Sequence, residues 1–439
     1  METGKTLRGT VRLAFDTVEG VTHVVEGMYR NIADGPMPWG AAPEGPAKGI
    51  AGFVHESIRR VNGVVRDASE LALKPLSHHI DRVWSPGPHR EAAIAVLNGL
   101  CGDHLERSGN PLAIPMQFRV FLPPPPQQEA KADPSTDDLT EPKARPVAFA
   151  NLFETQKRPV PIHPQPTALA HPEFSPGRRL LILVHGLCMN DREWTAHQHN
   201  HAQMLADATG YTPVYLLYNS GRHVSTNGRE FCKQLAGLLG AWPVPVESIT
   251  IIGLSMGGLL VRSALHLARQ QRQAWLEQVD KVAYVGTPHH GAVMERGGYW
   301  LQKSATYSPY TAPLSALGRV RSDGITDLRH GNLLDDDWQH HDEHEDNADH
   351  RQPVPLVGGI EHYAIAATLS KQPGERIGRL LGDGLVHPSS ATGRHRNPDF
   401  ALAFPERHTR IFHGVGHLAM LHDQRVADQL REWLGPKPC

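Results

Sequence analysis

The sequence predicts an α/β protein built on a mostly parallel central sheet. Two observations carry this. Short, wholly apolar runs recur along the second half of the chain, and helix-length amphipathic segments separate the early ones. Strands of that kind are buried on both faces, and helices between them supply the crossovers that parallel pairing requires. The composition agrees with a globular protein, since hydrophobic residues make up 40% and charged residues 21% of the 439 residues.

The elements follow in order. Residues 1–110 form a helical N-terminal region. In Val11 to Val18, with Val21, Val24, Val25 and Met28 beyond, apolar residues recur three and four apart, Pro36 to Pro46 read as a linker, and further helical stretches cover Ile50 to Val65 and Arg90 to Leu105. Two readings of these stripes stand: packing on each other or on the main domain, and peripheral contact with a membrane or lipid surface. Residues 111–178 form an edge strand and a Pro-rich connecting segment. Met116 to Leu122 alternates as the edge strand, and Pro123 to Pro126 then break any ladder.

The main domain spans 179–439. Its expected strands are 180–184, 214–218, 249–253, 282–286, 354–358 and 410–412, with helices at 227–239, 256–270 and 418–433. An insertion at about 291–350 is long for a crossover. It carries Tyr299, Trp300, Tyr307 and Tyr310, and it reads either as a lid or as ordinary core. The stretch 335–350, DDDWQHHDEHEDNADH, reads as a solvated, mobile acidic loop. A metal site there is chemically open, but no clean ligand spacing stands out.

Several function classes are disfavoured. A formal charge of −2 leaves no basic footprint for nucleic acid, although 28 histidines would charge as pH falls. The cysteines at 101, 188, 232 and 439 form no CxxC pair and no disulfide scaffold. The N-terminal residues lack a basic-then-apolar leader, and no run of 18 apolar residues occurs, so a cytoplasmic setting is the expectation, with membrane association left open.

The chemistry is concentrated at Gly253-Leu254-Ser255-Met256-Gly257. An apolar strand enters this string and a helix leaves it, the context of a nucleophile elbow. Ser255 is the candidate nucleophile. The Met256 amide, at the positive end of the helix, is a candidate oxyanion donor, and the Leu187 amide in His185-Gly186-Leu187-Cys188 is the second. His185 reads as a structural hydrogen-bonding residue and Cys188 as packing. Serine needs a base, and the base needs an orienting acid. In this order of elements the acid and then the histidine follow the serine. His417 is the preferred base, with His413 and His422 as rivals. Asp383, between glycines in LGDGLV, is the preferred acid, with Asp335 to Asp337 as competitors.

With these strings in place, 179–434 resembles the α/β-hydrolase superfamily. Within it, the likeness is to bacterial esterase/lipase proteins related to the triacylglycerol lipases and PGAP1-like lipases. LILVHGLCMND, IIGLSMGGLLVRSA, VGTPHHGA, LGDGLV and GVGHLAM carry it. The resemblance implies an α/β-hydrolase fold, a Ser255–His417–Asp383 triad and no cofactor. It also implies a small-molecule ester or lipid substrate, with Thr287 to Gly291 near the substrate cleft. Acyl transfer on the same fold and a non-catalytic binding or assembly role remain as alternatives.

Overall fold

The computed structural model describes residues 9, 88–122, 158–161, 174–195, 201–292, 322–339, 351–372 and 382–435. The expected helices before residue 88, the aromatic residues of the insertion and the 340–350 part of the acidic stretch lie outside the described residues. The chain divides into two compact units, 1–94 with 104–113, and 95–103 with 114–439. In the first, Asn110 closes a turn by accepting the Leu112 N–H at 2.9 Å.

The second unit holds an eight-stranded sheet in the order β2-β1-β4-β3-β5-β6-β7-β8. The strands are β1 (Gln117–Leu122), β2 (Arg158–Pro161), β3 (Arg179–Val184), β4 (Thr212–Leu217), β5 (Ser248–Leu254), β6 (Val279–Val285), β7 (Glu361–Thr368) and β8 (Thr409–His413). All neighbours from β4 to β8 pair in parallel, and β1 is antiparallel to both β2 and β4. The expected edge strand is therefore not an edge. β1 is paired on both sides, and the edge falls to β2, whose Pro159 and Pro161 lack the N–H that an inner strand would need.

The apolar runs become strands because helices cover both faces. Leu180, Ile182 and Val184 of β3 face one core, with α3 (Val224–Ala241) and α4 (Met256–Gln270) over it, while Leu181 and Leu183 face the other. That second face is covered by α2 (His201–Thr209) and α7 (Gln424–Leu434). Each fully buried Leu or Ile contributes about 1.5–3 kcal/mol to this arrangement. The remaining helices are α1 (Pro88–Arg107), α5 (Asp323–His330) and the short α6 (Pro388–Ala391).

Three expectations are corrected. The strand expected at 354–358 is irregular chain, and the fifth parallel strand is β7, further on at 361–368. The terminal helix does not run from 418. A 3-10 turn at Leu418–Leu421 ends first, and Asp423 then caps α7 by accepting the Arg425 N–H at 2.9 Å. The start of the acidic stretch is fixed rather than loose. Asp337 is buried and accepts the Leu333 and Leu334 amides at 2.7 and 2.9 Å. Among the described residues no helix is long and apolar enough to cross a membrane.

Candidate active site

β5 ends in the tight turn that carries Ser255. The serine has φ 52° and ψ −123°, a backbone conformation that side chains rarely adopt, and it stands one residue before α4. The glycines around it are required by close approach. A Cβ on Gly257 would lie 2.5 Å from the carbonyl oxygens of both Val184 and His185, and one on Gly253 would lie 2.7 Å from the Gly258 Cα. The Ser255 N–H donates to the Val285 oxygen at 2.8 Å, tying the turn to the end of β6. The next residue, Gly286, has φ 60°, and its missing side chain leaves room for an imidazole. A Cβ there would lie 3.0 Å from His417 Cε1. The serine turn meets Val285 and the His417 ring lies against the adjacent Gly286, at the carboxyl end of β6.

Asp383 and His417 are brought together. His417 Nδ1 donates to Asp383 Oδ2 at 2.7 Å, with the two side chains 5% and 1% exposed. The other oxygen, Oδ1, accepts the Leu385 and Val386 amides at 3.0 and 2.8 Å, so the carboxylate cannot rotate away. The backbones are joined as well, the His417 N–H donating to the Asp383 oxygen at 3.0 Å. Gly382 at φ 53° lets this turn close, since a Cβ there would meet the Val386 oxygen at 2.1 Å. Among the described residues, His417 Nε2 is buried with no hydrogen-bond partner. That nitrogen is the one a general base must keep free.

Of the rival acids, Asp336 is exposed and the other two are engaged elsewhere. Asp335 accepts from Ser225 at 2.6 Å and pairs with Arg229, and Asp337 caps the 333–334 backbone. Of the rival bases, His413 ends β8 and His422 follows the 3-10 turn, and it is His417 that holds Asp383.

The loop with the candidate oxyanion donor Leu187 follows β3. Ser220 Oγ accepts the Cys188 N–H at 3.1 Å, while the Leu187 N–H meets no acceptor among the described residues. The Met256 N–H, first in α4, has no intrahelical partner by construction. His185 is fully buried and stacked on Tyr218. Its Nδ1 donates to the Gly186 oxygen at 2.8 Å and its Nε2 accepts the Tyr218 N–H at 3.4 Å. Burial pushes its pKa down to about 4. Burial, with Cys101 nearby, pushes the Cys188 thiol up to about 12, so it is a protonated packing group.

Sequence reasoning missed the wall behind this loop. The middle of α1 runs against it, and a Cβ on Gly99 would lie 2.2 Å from Cys188 Sγ. Asn219 Nδ2 donates to the Gly102 oxygen at 2.8 Å, and Ser322 Oγ to the Gly99 oxygen at 2.6 Å. Val96, Leu187, Met256, Leu259, Ile325 and Leu328 form one apolar cluster here. Glycine pairs three apart in a helix were the available signal. The described part of the insertion, 322–339, belongs to this core through α5. Of the Thr287 to Gly291 string, Thr287 packs on the first turn of α4, where a Gly258 Cβ would meet its Oγ1 at 1.9 Å.

Strand order, the elbow after β5 and an acid and histidine after β7 and β8 define an α/β-hydrolase fold. Residues 179–366 match the family model described as PGAP1-like alpha/beta domain. No curated protein matches the sequence. Among solved structures the chain is similar to the mature form of lipase BlEst2 from Bacillus licheniformis, at 17% identity and TM-score 0.38, covering 61% of this chain and 95% of that one. It is also similar to the Pyrococcus furiosus esterase PF2001, at 14% identity and TM-score 0.34, covering 59% and 83%. Phospholipase PlaB from Legionella pneumophila is similar at 14% identity and TM-score 0.33, covering 48% and 45%.

Proposed function

We propose that the protein is a serine carboxylic-ester hydrolase working through an acyl-enzyme. The observation that carries this is the buried His417–Asp383 pair at 2.7 Å, whose outer nitrogen has no hydrogen-bond partner among the described residues and whose ring lies against Gly286, next to the residue that ties down the Ser255 turn. His417 Nε2 takes the Ser255 proton as Oγ attacks the ester carbonyl. Asp383 holds the Nδ1–H tautomer and stabilises the imidazolium. The Leu187 and Met256 amides accept the charge that develops on the carbonyl oxygen. The imidazolium then protonates the departing alcohol. Water, deprotonated by the same ring, attacks the acyl-enzyme, and collapse returns the proton to Ser255 and frees the acid.

The buried neighbours of the elbow, Leu187, Met256, Leu259 and Met420, are apolar, which suits an ester with a hydrocarbon acyl group. Lipid-like esters are therefore the substrate class to test. Hydrolysis of short- and long-chain p-nitrophenyl esters by the purified chain should fall about 10⁴-fold or more in Ser255→Ala. The native protein should also label with a fluorophosphonate probe. Equal turnover by the two proteins, or no labelling, overturns the reading.

A further inference from the structure

The turn after β4, Asn219-Ser220-Gly221, takes no part in the acyl-transfer steps, yet three helices fasten it. Asn219 Nδ2 donates to the Gly102 oxygen of α1 at 2.8 Å, and Asn227 Nδ2 of α3 donates to the Asn219 oxygen at 2.9 Å. The Gly324 N–H, in the first turn of α5, donates to the Gly221 oxygen at 3.1 Å. Within the turn, Asn219 Oδ1 accepts the Gly221 N–H at 3.1 Å. Asn219 and Ser220 are both buried.

The side chain in the middle of this turn reaches the loop after β3. Ser220 Oγ accepts the Cys188 N–H at 3.1 Å, and both residues are buried. Cys188 stands at φ 60°, in the left-handed region that a residue with a side chain occupies only where its surroundings hold it. The loop lies beside the nucleophile, since a Cβ on Gly186 would lie 3.3 Å from the Ser255 Cβ. Leu187 and Cys188 therefore present two consecutive amides with different destinations. Ser220 binds the second. The first meets no acceptor among the described residues.

The geometry points to Ser220 as a positioning residue for the candidate oxyanion donor. Its hydroxyl holds the 187–188 peptide in the orientation that leaves the Leu187 N–H for the ester oxygen. This rests on the ester-hydrolase reading of the Ser255 site. Ser220 touches no reacting atom and acts through Cys188. Without its hydroxyl, the Cys188 N–H becomes a buried donor with no acceptor, a cost that a rotated peptide or a displaced loop relieves. Oxyanion donors act over a narrow range of distance, so a small displacement weakens them. The same contacts give α5 a place in the site. Its Gly324 amide holds the turn that holds the loop, and its Ile325 and Leu328 pack in one cluster with Leu187 and Met256.

The test compares Ser220→Ala and Ser220→Thr in the full chain on p-nitrophenyl butyrate, with Ser255→Ala as the measure of background. In Ser220→Ala, kcat should fall about 10- to 100-fold with KM within about twofold of the wild type. Ser220→Thr keeps the acceptor oxygen and should recover most of that loss. A second readout is affinity for an alkyl trifluoromethyl ketone. Its carbonyl carbon bonds to Ser255 Oγ as the serine proton passes to His417, which leaves an oxyanion beside the Leu187 amide. That affinity should fall by about the same factor as kcat/KM, with the variants melting near the wild-type temperature. Ser220→Cys keeps the shape and weakens the acceptor, and it gives the same comparison where Ser220→Ala does not fold. An unchanged kcat, a loss carried by KM, or a ketone affinity that stays at the wild-type value while kcat falls overturns the proposal and leaves Ser220 a packing residue. Wild-type turnover no greater than that of Ser255→Ala instead overturns the ester-hydrolase reading, and this one with it.

Discussion

The loops after β3 and after β8 each bury a histidine at the carboxyl edge of the sheet, and the two rings are wired in opposite ways. His185 has both nitrogens satisfied by backbone groups and a tyrosine ring stacked on its face. His417 has a fixed carboxylate on one nitrogen and, among the described residues, no hydrogen-bond partner on the other. Burial is nearly equal, so burial does not separate a scaffold imidazole from a candidate base. The partner set does. A neutral carbonyl partner leaves His185 with no compensation for a positive charge, while Asp383 provides one for His417.

The comparison can be broken most directly by His417→Ala, which should lower kcat about 10⁴- to 10⁶-fold in ester hydrolysis, measured on the same substrates as the Ser255 variant. Next comes Asp383→Asn. It keeps the shape and loses the charge and the tautomer, so a fall of about 10⁴-fold in kcat is expected with KM little changed. His185→Gln should cost far less, about 10²-fold at most, through displacement of the oxyanion loop. Losses equal to those of His417→Ala would erase the distinction between the two rings.

His185 also makes a pH prediction. Its folded pKa of about 4 lies below the ordinary 6.5, so the unfolded chain binds a proton between those values and the folded chain does not. Its contribution is complete above pH 6.5 and is lost as pH falls toward 4, a change of about 3 kcal/mol. Urea melts across that window should show a shallower loss in His185→Gln than in the wild type. The smallest effect belongs to Cys188→Ala. The thiol is protonated and buried, so turnover should stay within about twofold of the wild type. A large loss, with the fold intact, would give that thiol a chemical role.

Much of this was legible in the chain. β3 to β6 show as apolar runs because both of their faces are covered. The GLSMG string shows because its glycines answer close approaches that no other residue allows. The meeting of residues 383 and 417 follows from strand order, since both loops leave the same sheet edge. β7 was obscured because EHYAIAAT buries itself with alanines, which give little hydrophobic signal, while VPLVG just before it looks richer but carries Pro355. The edge position of β1 was misread because its second partner, β2, is four residues with two prolines. The Arg262–His289 contact was not legible, because α4 and the segment after β6 meet only in the folded chain.

The glycines at 99 and 102 have a practical consequence. A fragment trimmed to begin at β3 would keep every group named in the acyl-transfer steps and still be missing the helical buttress on which the 187–188 loop leans. Engineering that treats the residues before β3 as dispensable would remove the helix turn that packs against the loop carrying the candidate Leu187 donor.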